Sequence, residues 1–280
     1  MSDLILAAAG GYSWNNIDVW AISLRASGYE GDVGVVLYDN PNNPRQETKI
    51  NIENLSILGI QVFLKPLSES IYNQRFDDFY QIIRSVQDDL RYVIVTDIRD
   101  VLFQTNPVTW LEENLSKKLY AVSEGILYQN EPWGRDNVIQ GFPTHAPRLL
   151  ENCIYNVGVL AGEARMVADI CLATSMMAKA SGFPIADQSG YNFLLDMEAY
   201  KDAVQYGKSE DGFTCMAGTF SDPTKIDAFR PNLLEPEPYL DVEGVKTNSG
   251  KLFSIVHQYD RVPAWNLQLR QDLNNKIHTT

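Results

Sequence analysis

A chain of 280 residues can bury one large core or two small ones, and 45% hydrophobic, 11% aromatic and 21% charged residues place it with globular proteins, not fibrous or disordered ones. A formal charge of -13 without any Lys/Arg run excludes a nucleic-acid backbone as the expected partner, and a bound diphosphate would need a cation to bridge the like charges. Cys153, Cys171 and Cys215 are odd in number and widely spaced, which predicts buried small hydrophobes in a reducing, cytoplasmic setting, and no stretch reaches the roughly 20 apolar residues of a transmembrane segment.

In chain order, residues 4–9 form a short apolar run ended by Gly10 and Gly11. Residues 17–27 have helical apolar spacing ended by Gly28, and residues 34–38 are a second apolar run, so the start predicts a β-α-β unit. Residues 52–58 predict a short helix, 61–64 a strand, 74–90 an amphipathic helix and 92–96 a buried strand of β-branched residues. The fold class is therefore α/β, with a doubly wound, mostly parallel sheet flanked by helices whose ligands belong beyond the C-terminal strand ends. Further on, residues 119–123 and 155–160 are strand-like, 164–179 and 187–195 helical, and 252–257 a last strand. Residues 124–148 and 222–248, rich in glycine, proline or aromatics, read as irregular. No linker divides the chain, so residues 1–280 predict one domain: about 1–105 for a nucleotide, about 106–270 for the group transferred and its acceptor.

Asp97 and Asp100 follow the buried strand immediately, and two carboxylates at such an edge can hold a hard divalent ion whose other positions go to diphosphate oxygens and water. The competing reading is that Asp97 caps the next turn while Asp100 pairs with Arg99 at the surface.

The run from Val95 to Phe103 resembles the DxD segment of GT-A glycosyltransferases, although its carboxylates are spaced D-x-x-D and Ile98 stands where the first aspartate of that pattern would be. Either a one-residue bulge lets Asp97 reach an ion, or Asp100 alone is a direct ligand. Haloacid dehalogenase phosphatases also place two aspartates after an apolar strand, but at D-x-D spacing and near the start of the domain. Asn156-Val157-Gly158-Val159-Leu160, the Asp187-Gln188 pair with Asn192, and His257 with Trp265 resemble, in order, segments of glycosyltransferase family 8, the glycogenin and lipopolysaccharide galactosyltransferase group. Arg75 matches an arginine that opens the helix before the DxD strand in that family.

The resemblance implies a GT-A enzyme transferring a sugar from a nucleotide-sugar donor, UDP-sugar favoured, to a carbohydrate or glycoconjugate, with retention of anomeric configuration. It implies His257 as third ligand with Asp97 and Asp100, a set suited to Mn2+ or Mg2+. Asp187 and Gln188 are then the candidate catalytic pair, the carboxylate for sugar hydroxyls and the amide beside the reacting carbon. Asn156 would orient sugar or acceptor, and Arg75 would reach the donor. Arg261 replaces the lysine of the family's last segment against the diphosphate. Ala8, Ala9 and Gly10 offer small residues where a nucleoside would approach the backbone, Tyr12 could flank the base, and Asp39 could accept from base or ribose. Trp14, Tyr128 and Trp133 are stacking candidates for a sugar, with burial in the core as the alternative. A non-catalytic nucleotide-sugar or carbohydrate-binding protein on the same scaffold is the second reading.

Overall fold

The computed structural model describes residues 1–279. The first half runs β1 (Ser2–Gly10), α1 (Trp14–Ala26), β2 (Asp32–Tyr38), α2 (Gln46–Ile57), β3 (Gln61–Lys65), α3 (Ile71–Val86), β4 (Leu90–Thr96), β5 (Val101–Phe103) and α4 (Pro107–Asn114). Then come β6 (Leu119–Leu127), α5 (Pro132–Gly141), α6 (Ala146–Leu149), β7 (Cys153–Glu163), α7 (Ala164–Ser181), α8 (Asp187–Leu195) and α9 (Glu198–Lys201). The last part is β8 (Val204–Tyr206), β9 (Thr214–Met216), α10 (Ala217–Phe220), α11 (Ile226–Phe229), β10 (Tyr239–Asp241), β11 (Gly244–Lys246), β12 (Ile255–His257) and α12 (Pro263–Thr279).

The main sheet has the order β3-β2-β1-β4-β7-β6-β8, and β7 runs antiparallel to both of its neighbours in an otherwise parallel sheet. The period of two explains why β1 is apolar throughout: Ile5, Ala7 and Ala9 face the layer of α1 and α2, while Leu4, Leu6 and Ala8 face that of α3 and α7. In α1 the buried stripe Ile17, Trp20, Ala21 and Leu24 follows the i, i+3, i+4, i+7 spacing that lays a helix on a sheet. Cys171 and Cys215 are buried and Cys153 half-buried, and all three are free thiols.

Two departures from regular pairing create the site. Between the pairs Ala121–Leu160 and Ser123–Tyr155, β6 advances two residues and β7 five, so residues 156–159 swing out of the ladder with β6. On its other side β7 stays with β4 as far as Thr96–Val159. The second departure is a small sheet, β5-β12-β9, whose register sets His257 opposite both Val101 and Met216. Because β4 belongs to the large sheet and β5 to the small one, the connection carrying Asp97 and Asp100 lies where the two sheets diverge.

The structure revises several boundaries. Helix α2 starts at Gln46, six residues before the expected 52, and α3 stops at Val86 because Leu90 already belongs to β4. The glycine-rich segment 124–148 holds the end of β6 together with α5 and α6, and 222–248 holds α11 and the β10–β11 hairpin. The last strand is shortened to Ile255–His257. Among the described residues, no helix is long and apolar enough to cross a membrane.

Candidate active site

Asp97 is the first residue beyond β4, and its N–H donates to the Gly158 carbonyl at 2.7 Å, which anchors the swung-out stretch of β7 against the strand end. One Asp97 carboxylate oxygen is bonded by Arg75, and the other lies 3.3 Å from His257 Nε2. An Asp100 oxygen lies 3.6 Å from the same nitrogen. One ligand atom from each of Asp97, Asp100 and His257 can be chosen so that all lie within 4.8 Å of one another.

The imidazole of His257 is buried; among the described residues Nδ1 has no hydrogen-bond partner, and Nε2 faces the Asp97 and Asp100 carboxylates without regular hydrogen-bond geometry. Burial opposes its charge, but the carboxylates of Asp100 and Asp97 prevail and lift its pKa to about 9. Burial likewise opposes ionisation of Asp97, and Arg75 and His257 outweigh it, holding the carboxyl well below the usual carboxylate range. Two hard carboxylates converging on a buried imidazole that lacks a regular hydrogen bond could hold a divalent cation. Gly158 supplies the room: a Cβ there would lie 2.5 Å from both Asp97 Oδ2 and His257 Cε1.

Arg75 also bonds Asp187 Oδ2 at 3.0 Å, so one buried guanidinium joins the strand-end cluster to the start of α8. Burial raises the pKa of Asp187 despite that arginine. Asn156 Nδ2 donates to Gln188 Oε1 at 3.2 Å and to Glu124 Oε1 at 2.8 Å. Asn192 closes the arrangement: its Oδ1 accepts from the Tyr155 N–H, and its Nδ2 donates to the carbonyls of Tyr155 and Gln188. Asp97, Arg75, Asn156, Asp187 and Gln188 thereby share one cavity of about 520 Å³. A second cavity of about 180 Å³, which shares Asp97, Arg75 and Arg261 with the first, is walled by Ala8, Tyr12 and Asp100 among others.

No family model matches the sequence, and no curated protein does. Solved structures match over nearly the whole chain. Mouse xyloside xylosyltransferase 1, in its apo form, superposes with a TM-score of 0.54 at 11% identity, covering 92% of this chain and 98% of the other. The galactosyltransferase LgtC, in complex with donor and acceptor sugar analogs, gives 0.50 at 16%, covering 91% and 86%. The glycosyltransferase GlyE of Streptococcus pneumoniae TIGR4 gives 0.52 at 16%, with 100% of this chain set on 63% of that one. The chain has the GT-A glycosyltransferase fold.

Within this GT-A fold the residues singled out from the sequence fall into two groups. Asp97, Asp100, His257, Arg75, Asn156, Asp187, Gln188, Arg261, Ala8 and Tyr12 gather around the two cavities. Ala9, Gly10 and Asp39 lie outside the walls of both. Ala9 is packed in the core, and the Asp39 carboxylate takes bonds from Thr48, Arg45 and the Asn40 N–H in its own loop. These bonds hold its pKa well below the usual range.

The structure adds residues that motif reading passed over. Glu124 is buried on the large cavity wall, its second oxygen reached, among the described residues, only by Thr219 Oγ1 at 3.4 Å, and burial pushes its pKa up. The signal was present, since Glu124 is a lone carboxylate in the apolar run of β6. Arg99 lines the small cavity, held loosely by Asp260 at 3.4 Å and Asp100 at 3.7 Å. Gln258 adopts a left-handed φ of 63°, and its N–H donates to the Asp100 carbonyl at 2.6 Å, which fastens the end of β12 to the aspartate loop.

Proposed function

We propose that this chain is a metal-dependent glycosyltransferase that moves a sugar from a nucleotide-diphosphate sugar, UDP-sugar favoured, to a carbohydrate or glycoconjugate acceptor. The observation that carries the reading is the convergence of Asp97, Asp100 and the buried His257 beside a cavity whose wall holds Asp187, Gln188 and Asn156. Mn2+ or Mg2+ held by the three ligands would supply Lewis-acid stabilisation of the departing diphosphate.

The remaining roles follow from position and charge. Arg261 offers its guanidinium group to phosphate oxygens, and Arg75, whose terminal nitrogens are bonded to Asp97 and Asp187, adds positive charge beside them, which matters in a protein of net charge -13. Ala8 and Tyr12 flank the nucleoside in the small cavity, so that residues 1–105 serve mainly the nucleotide and 106–270 the sugar and acceptor. Asp187, oriented by Arg75, accepts from sugar hydroxyls. Gln188, oriented by Asn156, sets its amide beside the anomeric carbon where positive charge develops. Retention is supported by the pairing of Asn156 with Gln188, which joins two of the segments that resemble retaining enzymes. Three free thiols suit a cytoplasmic, reducing setting.

The test is release of UDP from a panel of UDP-sugars by purified protein. Release is expected to need Mn2+, to stop with chelator and to fall by about 100-fold or more in Asp100→Asn. UDP binding indifferent to chelator, without any hydrolysis, would point to the non-catalytic binder. Turnover of p-nitrophenyl phosphate abolished by Asp97→Asn would point to the phosphatase.

A further inference from the structure

We propose that the acceptor is a saccharide that stacks one pyranose face on Trp133 and presents a hydroxyl to Glu124. This deepens the glycosyltransferase reading and rests on it. Of the stacking candidates in the sequence, Tyr128 is fully buried and Trp14 packs against the core. Trp133 instead lies on the wall of the 520 Å³ cavity with 51% of its surface exposed.

Its placement is built. Trp133 occupies the first turn of α5, which opens on Pro132 and is capped by Glu131, whose Oε2 accepts the Gly134 N–H at 2.5 Å. The cap is buried, so the indole is held at the cavity instead of trailing from a loose loop. Phe229, with Lys225 Nζ 5.9 Å from its ring centre, adds a second aromatic surface to the same cavity.

The rest of the lining selects among ligands. An alkyl chain filling the cavity would cover Glu124 and Glu131 without offering their carboxylates any hydrogen bond beyond those they already accept, which is unfavourable in an apolar environment. A sugar ring satisfies both halves of the site, with C–H groups against the indole and hydroxyls donated to the carboxylates. Glu124 has acceptor capacity to spare, because among the described residues its second oxygen has only the long contact from Thr219.

The experiment is retention of the fluorescently labelled protein, with Mn2+ and UDP present, on an array of neutral gluco-, galacto-, manno- and xylo-oligosaccharides, with thermal midpoints recorded for each variant. The wild type is expected to bind at least one series. Trp133→Ala should bind it about tenfold more weakly, the equivalent of about 1.4 kcal/mol, and Trp133→Phe should keep most of the affinity. If the alanine variant loses its thermal transition, Trp133→Leu, bulky but without an aromatic face, carries the comparison. Retention of the wild type on no saccharide, or equal retention whatever residue stands at 133, overturns the proposal. Hydrolysis of UDP-sugars by the wild type separates the two readings. Hydrolysis with retention indifferent to residue 133 removes only the acceptor assignment, whereas Trp133-dependent retention without hydrolysis removes the transferase and leaves a saccharide site.

Discussion

Glu124 sets a cost that is visible in pH. Its carboxyl is buried with Asn156, Glu131, His257 and Arg261 as its polar surroundings, and burial raises its folded-state pKa. A carboxyl whose pKa is higher folded than unfolded, about 4.3 for glutamate, withdraws stability as pH climbs from the unfolded value to the folded one. Glu124→Gln removes that slope. The variant is expected to match the wild type near pH 4 and to exceed it at pH 8, read as a higher thermal midpoint. Equal midpoints at pH 8 would show that the site ionises Glu124 without penalty. Gln258 stores strain of another kind, since a side chain in the left-handed region costs about 1–3 kcal/mol. Gln258→Gly is therefore expected to raise the midpoint by roughly 2 °C, and a fall would mean that the glutamine side chain contributes more than its backbone costs. Of the residues themselves, the aspartates and His257 were legible because carboxylates and imidazole are conspicuous after apolar strands. Glu124 was passed over because expectation ended its strand at Ser123, whereas β6 continues to Leu127.

At the scale of elements, the decisive feature is the stretch of β7 that leaves β6 while holding to β4. It brings Asn156 to the cavity and sets Gly158 against the carboxylate of Asp97. A methyl group at 158 would overlap Asp97 and His257, and neither can yield without losing the other. Gly158→Ala is expected to weaken Mn2+ binding by tenfold or more, as followed by electron paramagnetic resonance of the free ion, while the thermal midpoint falls by only a few degrees. Unchanged Mn2+ affinity would separate Gly158 from the metal cluster. Helix α8 was legible to the residue, from Asp187 to Leu195, because its polar start and apolar end mark both limits. The split of β7 between two partners was not, since it depends on the strands on either side and not on the strand's own alternation.

For the whole molecule, a charge of -13 would make the anionic donor of the proposed function and its cation mutually dependent. Arg75, Arg99 and Arg261 converge on the small cavity, but Arg75 and Arg99 are already engaged by Asp97, Asp100 and Asp260. UDP together with Mn2+ at about 100 times the dissociation constant should add about 2.7 kcal/mol, a thermal shift of roughly 5–10 °C. UDP with chelator should shift the midpoint by far less, and equal shifts would mean that the arginines hold the diphosphate without a metal. The amino-acid order by itself determined the α/β class, the strand that leads into Asp97 and the residue types of the cluster, because periodicity and punctuation by glycine act over a few neighbours. Only the tertiary structure decided that Asp100 and His257 meet. They are separated by more than half the chain, and their approach follows from the register of β12 on β5, in which His257 stands opposite Val101, the residue after Asp100. Such a register is set by packing of Val256, Phe253 and Leu102 in a shared core, a contact between distant segments that no local pattern encodes.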